Sequence, residues 1–200
     1  MPKSLMNLPQ LILASASPRR SELLRQLDVE FEVIPSDAIE LHNEQLTAGE
    51  LCRVNAYRKA RPISKRFPDA IVMGADTLVY LGNQLFGKPK NRDEAHGMLQ
   101  ALQGETHLVV TGVCLMHLRS HRHRVFAETT QVTFRSLNDA QIAEYLNAIN
   151  PLDKAGAYAI QEHGEKIVEQ ISGSFTNVVG LPLEHLREEL SLWEIALGTL

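Results

Sequence analysis

Two features of the chain have residue types and a setting suited to chemistry on a charged substrate. One is the pair Arg19 and Arg20, directly after Ser17 and Pro18, and the other is Asp76, which interrupts the otherwise apolar run from Ile71 to Leu81. Ser17 suits a helix N-cap and Pro18 the first helical position, so both arginines fall in the first turn beside unpaired backbone N–H groups. Cations there oppose the helix dipole by some tenths of a kcal/mol, a conflict that a bound polyanion would remove. A solvated arginine pair on an ordinary Ser-Pro helix start fits these residues equally well. Asp76 needs a partner in either case, because a buried carboxylate is costly unless paired, hydrogen-bonded or metal-bound. A second acid, Glu40, lies in the polar loop that follows Pro35.

The elements that must position these groups follow from hydrophobic spacing. Leu11 to Ala14 reads as a strand, and Leu23, Leu24 and Leu27 as the inner face of the first helix. Phe31 to Pro35 alternates like a short strand. Thr47 and Glu50 form a capping box for a helix that runs to about Ala60, where Pro62 is expected to end it. Ile71 to Leu81 is extended and turns at Gly82-Asn83 into a hairpin. A helix spans Asn91 to Gln103, with Gly104 at its C′ position. Long extended segments cover His107 to His117 and Val125 to Phe134, joined by a basic tip, Leu118 to Arg124, that reads as a solvated loop. A helix over Asn138 to Ile149 is capped by Asn138 and Gln141. Gly173 to Pro182 reads as loop, strand and loop before a last helix from Leu183 to about Leu192. The order predicts an α/β sheet with antiparallel character, as one domain over residues 1–200.

Composition narrows the function. A formal net charge of −4 argues against a nucleic-acid polymer as partner. Cys52 and Cys114 lie far apart with no metal-ligand spacing, which marks reduced core thiols. Met1 to Gln10 has a single lysine and no signal-like apolar stretch, and no run of about 18 apolar residues occurs, so no membrane partner is expected. The expected location is cytoplasmic.

Taken together, Ser15-Ala-Ser-Pro-Arg-Arg20, Gly74-Ala-Asp-Thr77, Gly87-Lys-Pro89, Thr111-Gly112, Asp153-Lys-Ala-Gly-Ala-Tyr158 with Ile160-Gln161, and Gly173-Ser174 to Val179-Gly-Leu-Pro182 resemble the Maf family of nucleoside triphosphate pyrophosphatases. The resemblance covers roughly residues 11 to 190. It implies a long mixed sheet in two lobes around a deep cleft, similar to the inosine triphosphate pyrophosphatases. It also implies hydrolysis between the α and β phosphates with Mg²⁺, or with Mn²⁺ or Co²⁺ in its place.

By the same resemblance, Ser17, Arg19, Arg20, Lys59 and Lys88 bind the triphosphate, Asp76 is the proton acceptor, and Glu40 and Asp76 lie at the metal. Thr77 and Gln161 resemble the branch that hydrolyses dTTP and UTP, with 5-methyl-UTP and pseudo-UTP as relatives. The 7-methyl-GTP branch carries Gln in place of Thr77. The chain departs from common members at His163 to Glu165, in place of a glycine-rich turn. The family resemblance leaves two alternatives, 7-methyl-GTP hydrolysis and a nucleotide-binding regulator of septum formation, and it implies homodimerisation as a further state.

Overall fold

A computed structural model describes residues 10–43 and 45–193; the reading of Met1 to Gln10 as free of a signal segment falls outside them except at Gln10. The chain starts with β1 (Leu11–Leu13), α1 (Pro18–Arg25) and β2 (Phe31–Val33), then α2 (Ala48–Arg66) and the long β3 (Ile71–Leu81). The hairpin strand β4 (Gln84–Phe86), α3 (Arg92–Leu102), β5 (Thr106–His117) and β6 (Arg122–Phe134) follow. After α4 (Asp139–Ala148) and a short 3-10 turn come α5 (Gly164–Ile167), β7 (Val168–Ser172), α6 (Phe175–Val179) and α7 (Leu183–Ser191).

The seven strands form one mixed sheet in the order β2-β1-β3-β5-β6-β7, with β4 also on β3. β1 is parallel to β2 and β3, and the remaining pairings are antiparallel. Both β1 and β4 pair along the same edge of β3. The β1 ladder reaches Met73 and the β4 ladder begins at Val79, so the edge between them is open. That gap is where the cleft forms.

Alternation along β3 sends successive side chains to opposite faces. Met73 and Ala75, with Val113 and Leu115 of β5, pack under α1 and α7 beside Leu23, Leu24, Leu186 and Leu190. On the other face Val72, Cys114 and Met116 pack against Ala56, Ala60 and Ile63 of α2. Farther along the same strands, Val79 and Val109 join Leu99, Tyr145 and Phe134 in the core beneath α3 and α4. One sheet thus serves two lobes, as expected for an α/β protein with a central cleft.

Two expectations are corrected. α2 does not stop before Pro62 but runs through it to Arg66. Proline forfeits one helical hydrogen bond, yet Ile63 and Ser64 beyond it are buried against the sheet, and that packing carries the helix on. The segment read as a strand in Gly173 to Pro182 is instead the helical turn α6. Its start is capped by Ser174, whose Oγ accepts from the Asn177 N–H, and Gly180 at φ 131° ends it. Local capping outweighs the β propensity of Phe175, Thr176 and Val178.

The two capping boxes, Thr47 with Glu50 and Asn138 with Gln141, form as expected. Both cysteines are free and buried, and burial raises each thiol to about 12. The basic tip is shorter than the expected loop, because Arg122 to Arg124 already pair with β5 as the start of β6, and its cations are partnered: Arg119 forks onto Asp69, Arg122 stacks over Trp193, and Arg124 bonds Glu189. No helix among the described residues is long and apolar enough to cross a membrane.

Candidate active site

At the end of β1 the Ala14 N–H donates to Met73 O, and the chain then leaves the sheet for α1. Ser17 takes the N-cap position, but its side chain makes no capping bond. Arg19 reaches outward to the cleft rim, where Nη1 donates to Asp153 Oδ2 at 3.0 Å and Nη2 to the Asp153 carbonyl at 3.3 Å. Arg20 turns inward. Its Nε donates to Gly180 O at 3.0 Å, Nη1 to Ser15 Oγ and Ala75 O, and Nη2 to Thr77 Oγ1 at 2.9 Å. Burial lowers its pKa, opposed by the nearby charges of Asp76 and Glu40. Arg20 therefore ties α1, the open edge of β3 and the end of α6 together, as well as lining the cleft.

On the opposite face of β3, α2 approaches because Gly74 and Gly112 lack side chains; a Cβ on either would collide with α2 backbone at Ala56 or Cys52. This brings Asn55 and Lys59, one helical turn apart on one face, against Asp76. Asp76 Oδ1 accepts from Lys59 Nζ at 2.6 Å, and Oδ2 accepts from Asn55 Nδ2 at 3.0 Å. Lys59 also donates to Glu40 Oε1 at 2.7 Å. Asn55 fixes the loop that carries Glu40, accepting from Leu41 N and donating to Leu41 O. Burial pushes the Glu40 carboxyl up, but the charge and hydrogen bond of Lys59, with Lys88 and Arg20 behind, outweigh it and hold the group below the ordinary range.

All nine residues singled out from the sequence line one cleft of about 360 Å³: Ser17, Arg19, Arg20, Glu40, Lys59, Asp76, Thr77, Lys88 and Gln161. Lys90, Lys154, Asp153 and Tyr158 join them. Six Arg and Lys side chains face three carboxylates in a chain whose net charge is −4, so the cationic surplus is local. The far end is apolar, with Val79, Tyr158, Ile160 and Val178 beside Gln161. An anionic group with an attached flat apolar one fits this division.

Several participants were not singled out in the sequence. Asn55 carried a readable signal, being one turn before Lys59. Lys154 lies in the Asp153 to Tyr158 motif but has no role assigned from the sequence: it is buried with Nζ bonded to Asn150 O, Asp153 and Glu162, so it braces the wall that holds Arg19. His163, in the segment that departs from a glycine-rich turn, sits at φ 57°, a left-handed conformation that glycine adopts without strain.

The two carboxylates of Glu40 and Asp76 converge on one cation and are hard oxygen donors of the kind Mg²⁺ takes together with phosphate oxygens. Among the described residues no group of three or more His, Cys, Asp or Glu forms a protein-only metal cage. The donor set thus fits an ion that shares its ligands with a phosphorylated substrate.

The mixed sheet and its helices make an α/β fold shared with a HAM1 protein. The structure of a HAM1 protein from Coxiella burnetii superposes with a TM-score of 0.51 at 15% identity, covering 92% of this chain and 99% of that one. The sequence model of the family described as Maf-like protein matches residues 10–193, and this chain belongs to the Maf family. It is similar to a dTTP/UTP pyrophosphatase of Alkaliphilus oremlandii, 47% identical over 175 residues, 87% of this chain and 91% of the relative. Another relative of the same description, from Acetivibrio thermocellus, is 43% identical, with 90% and 94% covered. One from Gloeobacter violaceus is 46% identical, with 91% and 95% covered.

Proposed function

We propose that this chain hydrolyses dTTP and UTP between the α and β phosphates, releasing the nucleoside monophosphate and pyrophosphate. The observation that carries the reading is the meeting of Asp76, Glu40 and Lys59 inside a cleft with a surplus of cations and an apolar far end. The names of the similar relatives point to the same activity.

Arg19, Lys59, Lys88 and the first turn of α1 at Ser17 neutralise the triphosphate and the charge that grows on the leaving pyrophosphate. Arg20 holds Thr77 and the edge of β3 in place beside them. Asp76, kept in position by Lys59 and Asn55, accepts the proton of the attacking water. Glu40 and Asp76 would hold Mg²⁺, with Mn²⁺ or Co²⁺ as substitutes. When bound, such an ion supplies charge neutralisation and a more acidic water. Gln161 and Thr77 select the pyrimidine nucleotide, and 5-methyl-UTP and pseudo-UTP are further substrates of the same shape. The setting is cytoplasmic removal of surplus or non-standard pyrimidine nucleotides.

The test is pyrophosphate release from a panel of nucleoside triphosphates with Mg²⁺, comparing wild type with Asp76→Asn. Release from dTTP and UTP well above the purine nucleotides, and a loss of roughly a thousandfold in the variant, are expected. Full activity in Asp76→Asn would remove that residue from the chemistry.

A further inference from the structure

The ladder between β3 and β5 sets Thr77 directly opposite Thr111, and their hydroxyl oxygens stand 3.0 Å apart. A hydroxyl has one hydrogen and two lone pairs, so its neighbours decide which way such a bond runs. Thr111 Oγ1 also lies 3.0 Å from the carbonyl oxygen of Asn177, which can only accept. The single hydrogen of Thr111 is therefore directed to Asn177, and Thr111 must accept from Thr77. Arg20 Nη2 donates to Thr77 Oγ1 from 2.9 Å and takes one of its lone pairs. Thr77 is left with one lone pair and no hydrogen to offer a ligand in the cleft.

We propose that Thr111, fully buried and outside the cleft lining, is a specificity-determining positioning residue that turns Thr77 into an acceptor-only reader of a hydrogen-bond donor on the nucleotide. Two groups on dTTP present such a donor, the imide N3–H of the base and the 3′-hydroxyl of the sugar. A cytosine offers a lone pair at N3, which would meet the lone pair of Thr77 with no hydrogen between them. The inference rests on the nucleotide pyrophosphatase reading of the cleft and adds the atom-level basis of its selectivity.

A second threonine that braces the α6 turn provides a control. Thr130 is also fully buried, donates from Oγ1 to Ser174 O and accepts from Asn177 Nδ2, so it braces α6 without touching Thr77.

The experiment measures kcat and KM for dTTP, N3-methyl-dTTP and 3′-deoxy-dTTP, beside the standard nucleotides. Wild type should lose roughly tenfold in kcat/KM on whichever analogue lacks the donor that Thr77 reads, which identifies base or sugar. Thr111→Val, which frees the Thr77 hydrogen to turn toward the cleft, should erase most of that penalty, while Thr111→Ser should restore it. Thr130→Val should lower Tm yet keep the wild-type penalty. Thr77→Val, which removes the lone pair itself, gives a second arm should Thr111→Val fold poorly. An equal penalty in wild type and Thr111→Val, or its loss in Thr130→Val as well, would overturn the proposal, as would a wild type indifferent to both analogues. The wild-type preference among standard nucleotides tests the dTTP/UTP reading separately. The Thr111 comparison, made on the best substrate and its donor-blocked analogues, can fail or hold whichever base is preferred.

Discussion

The ammonium of Lys59 stands 2.6 Å from Oδ1 of Asp76, whose side chain is only 4% exposed. The same nitrogen reaches Glu40 at 2.7 Å, so one cation serves two carboxylates from separate elements. Asp76 can remain in so apolar a strand because α2 delivers both this charge and the Asn55 amide to it.

Removing that cation leaves two acids facing each other, one of them buried. Lys59→Met should therefore destabilise the fold by about 3 kcal/mol, the scale for stranding a buried ion-pair partner. A divalent cation can supply the missing charge, so added Mg²⁺ should raise the Tm of Lys59→Met more than that of wild type. Thermal melts across a Mg²⁺ series decide it. An identical metal response in both proteins would mean that Glu40 and Asp76 do not form a shared cation site.

Helix α2 carries a contrast between glycines that can be measured directly. A Cβ at Gly112 would collide with the backbone of Cys52, whereas one at Gly49, in the first turn of α2, meets nothing within 4 Å. Gly112→Ala should force α2 away from the sheet, lower stability by about 3 kcal/mol and carry Lys59 and Asn55 off Asp76, so that activity falls as well. Gly49→Ala should instead stabilise by roughly 0.5–1 kcal/mol through helix propensity, with activity kept. Denaturant midpoints and pyrophosphate release on the two variants would expose a wrong assignment if Gly112→Ala behaved like Gly49→Ala.

What the sequence made legible, and what it did not, follows from the range of the interactions. Short-range signals read well: Thr47 with Glu50 and Asn138 with Gln141 form their boxes because both partners lie within one turn. Asp76 is conspicuous because its type clashes with its apolar neighbours, and the structure sets it beside Glu40 and Lys59 in the cleft. Interactions settled by distant chain were not legible. Pro62 looks like a helix end locally, and only burial of Ile63 and Ser64 against the sheet carries α2 past it. Arg20 looks like a free phosphate cation, yet its guanidinium bonds Gly180, 160 residues away. The α6 turn looks like a strand locally because the Ser174 cap and the Asn177 bonds to Val109 and Thr130 are invisible in the β-prone letters around them.

Arg19 differs from Arg20 in being held only at the rim, by Asp153, with 48% of the Asp153 side chain exposed. Surface pairs of this kind contribute about 0–1 kcal/mol, so Arg19→Gln should leave Tm nearly unchanged. Loss of a cation from the triphosphate wall should nevertheless raise KM for the nucleotide about tenfold. Steady-state kinetics beside a thermal melt separate the two effects. A large drop in Tm with KM intact would make Arg19 a strut like Arg20.

His107 gives the fold an acid-sensitive point at the apolar end of the cleft. Its Nε2 is 2.7 Å from the Tyr158 hydroxyl, and its ring packs edge-on to Phe134 at 4.7 Å. Burial pulls the imidazole down from 6.5 to about 4. Between those values the unfolded chain binds a proton that the folded chain refuses, so stability falls as pH drops through this window, by on the order of 3 kcal/mol at its lower end. Below about 4 the folded form also takes the proton and this contribution levels off. His107→Gln keeps a polar group near Tyr158 but has nothing to titrate. Its Tm should therefore fall less than that of wild type between pH 7 and about 4.5. Parallel acid profiles for the two proteins would place the loss of stability elsewhere.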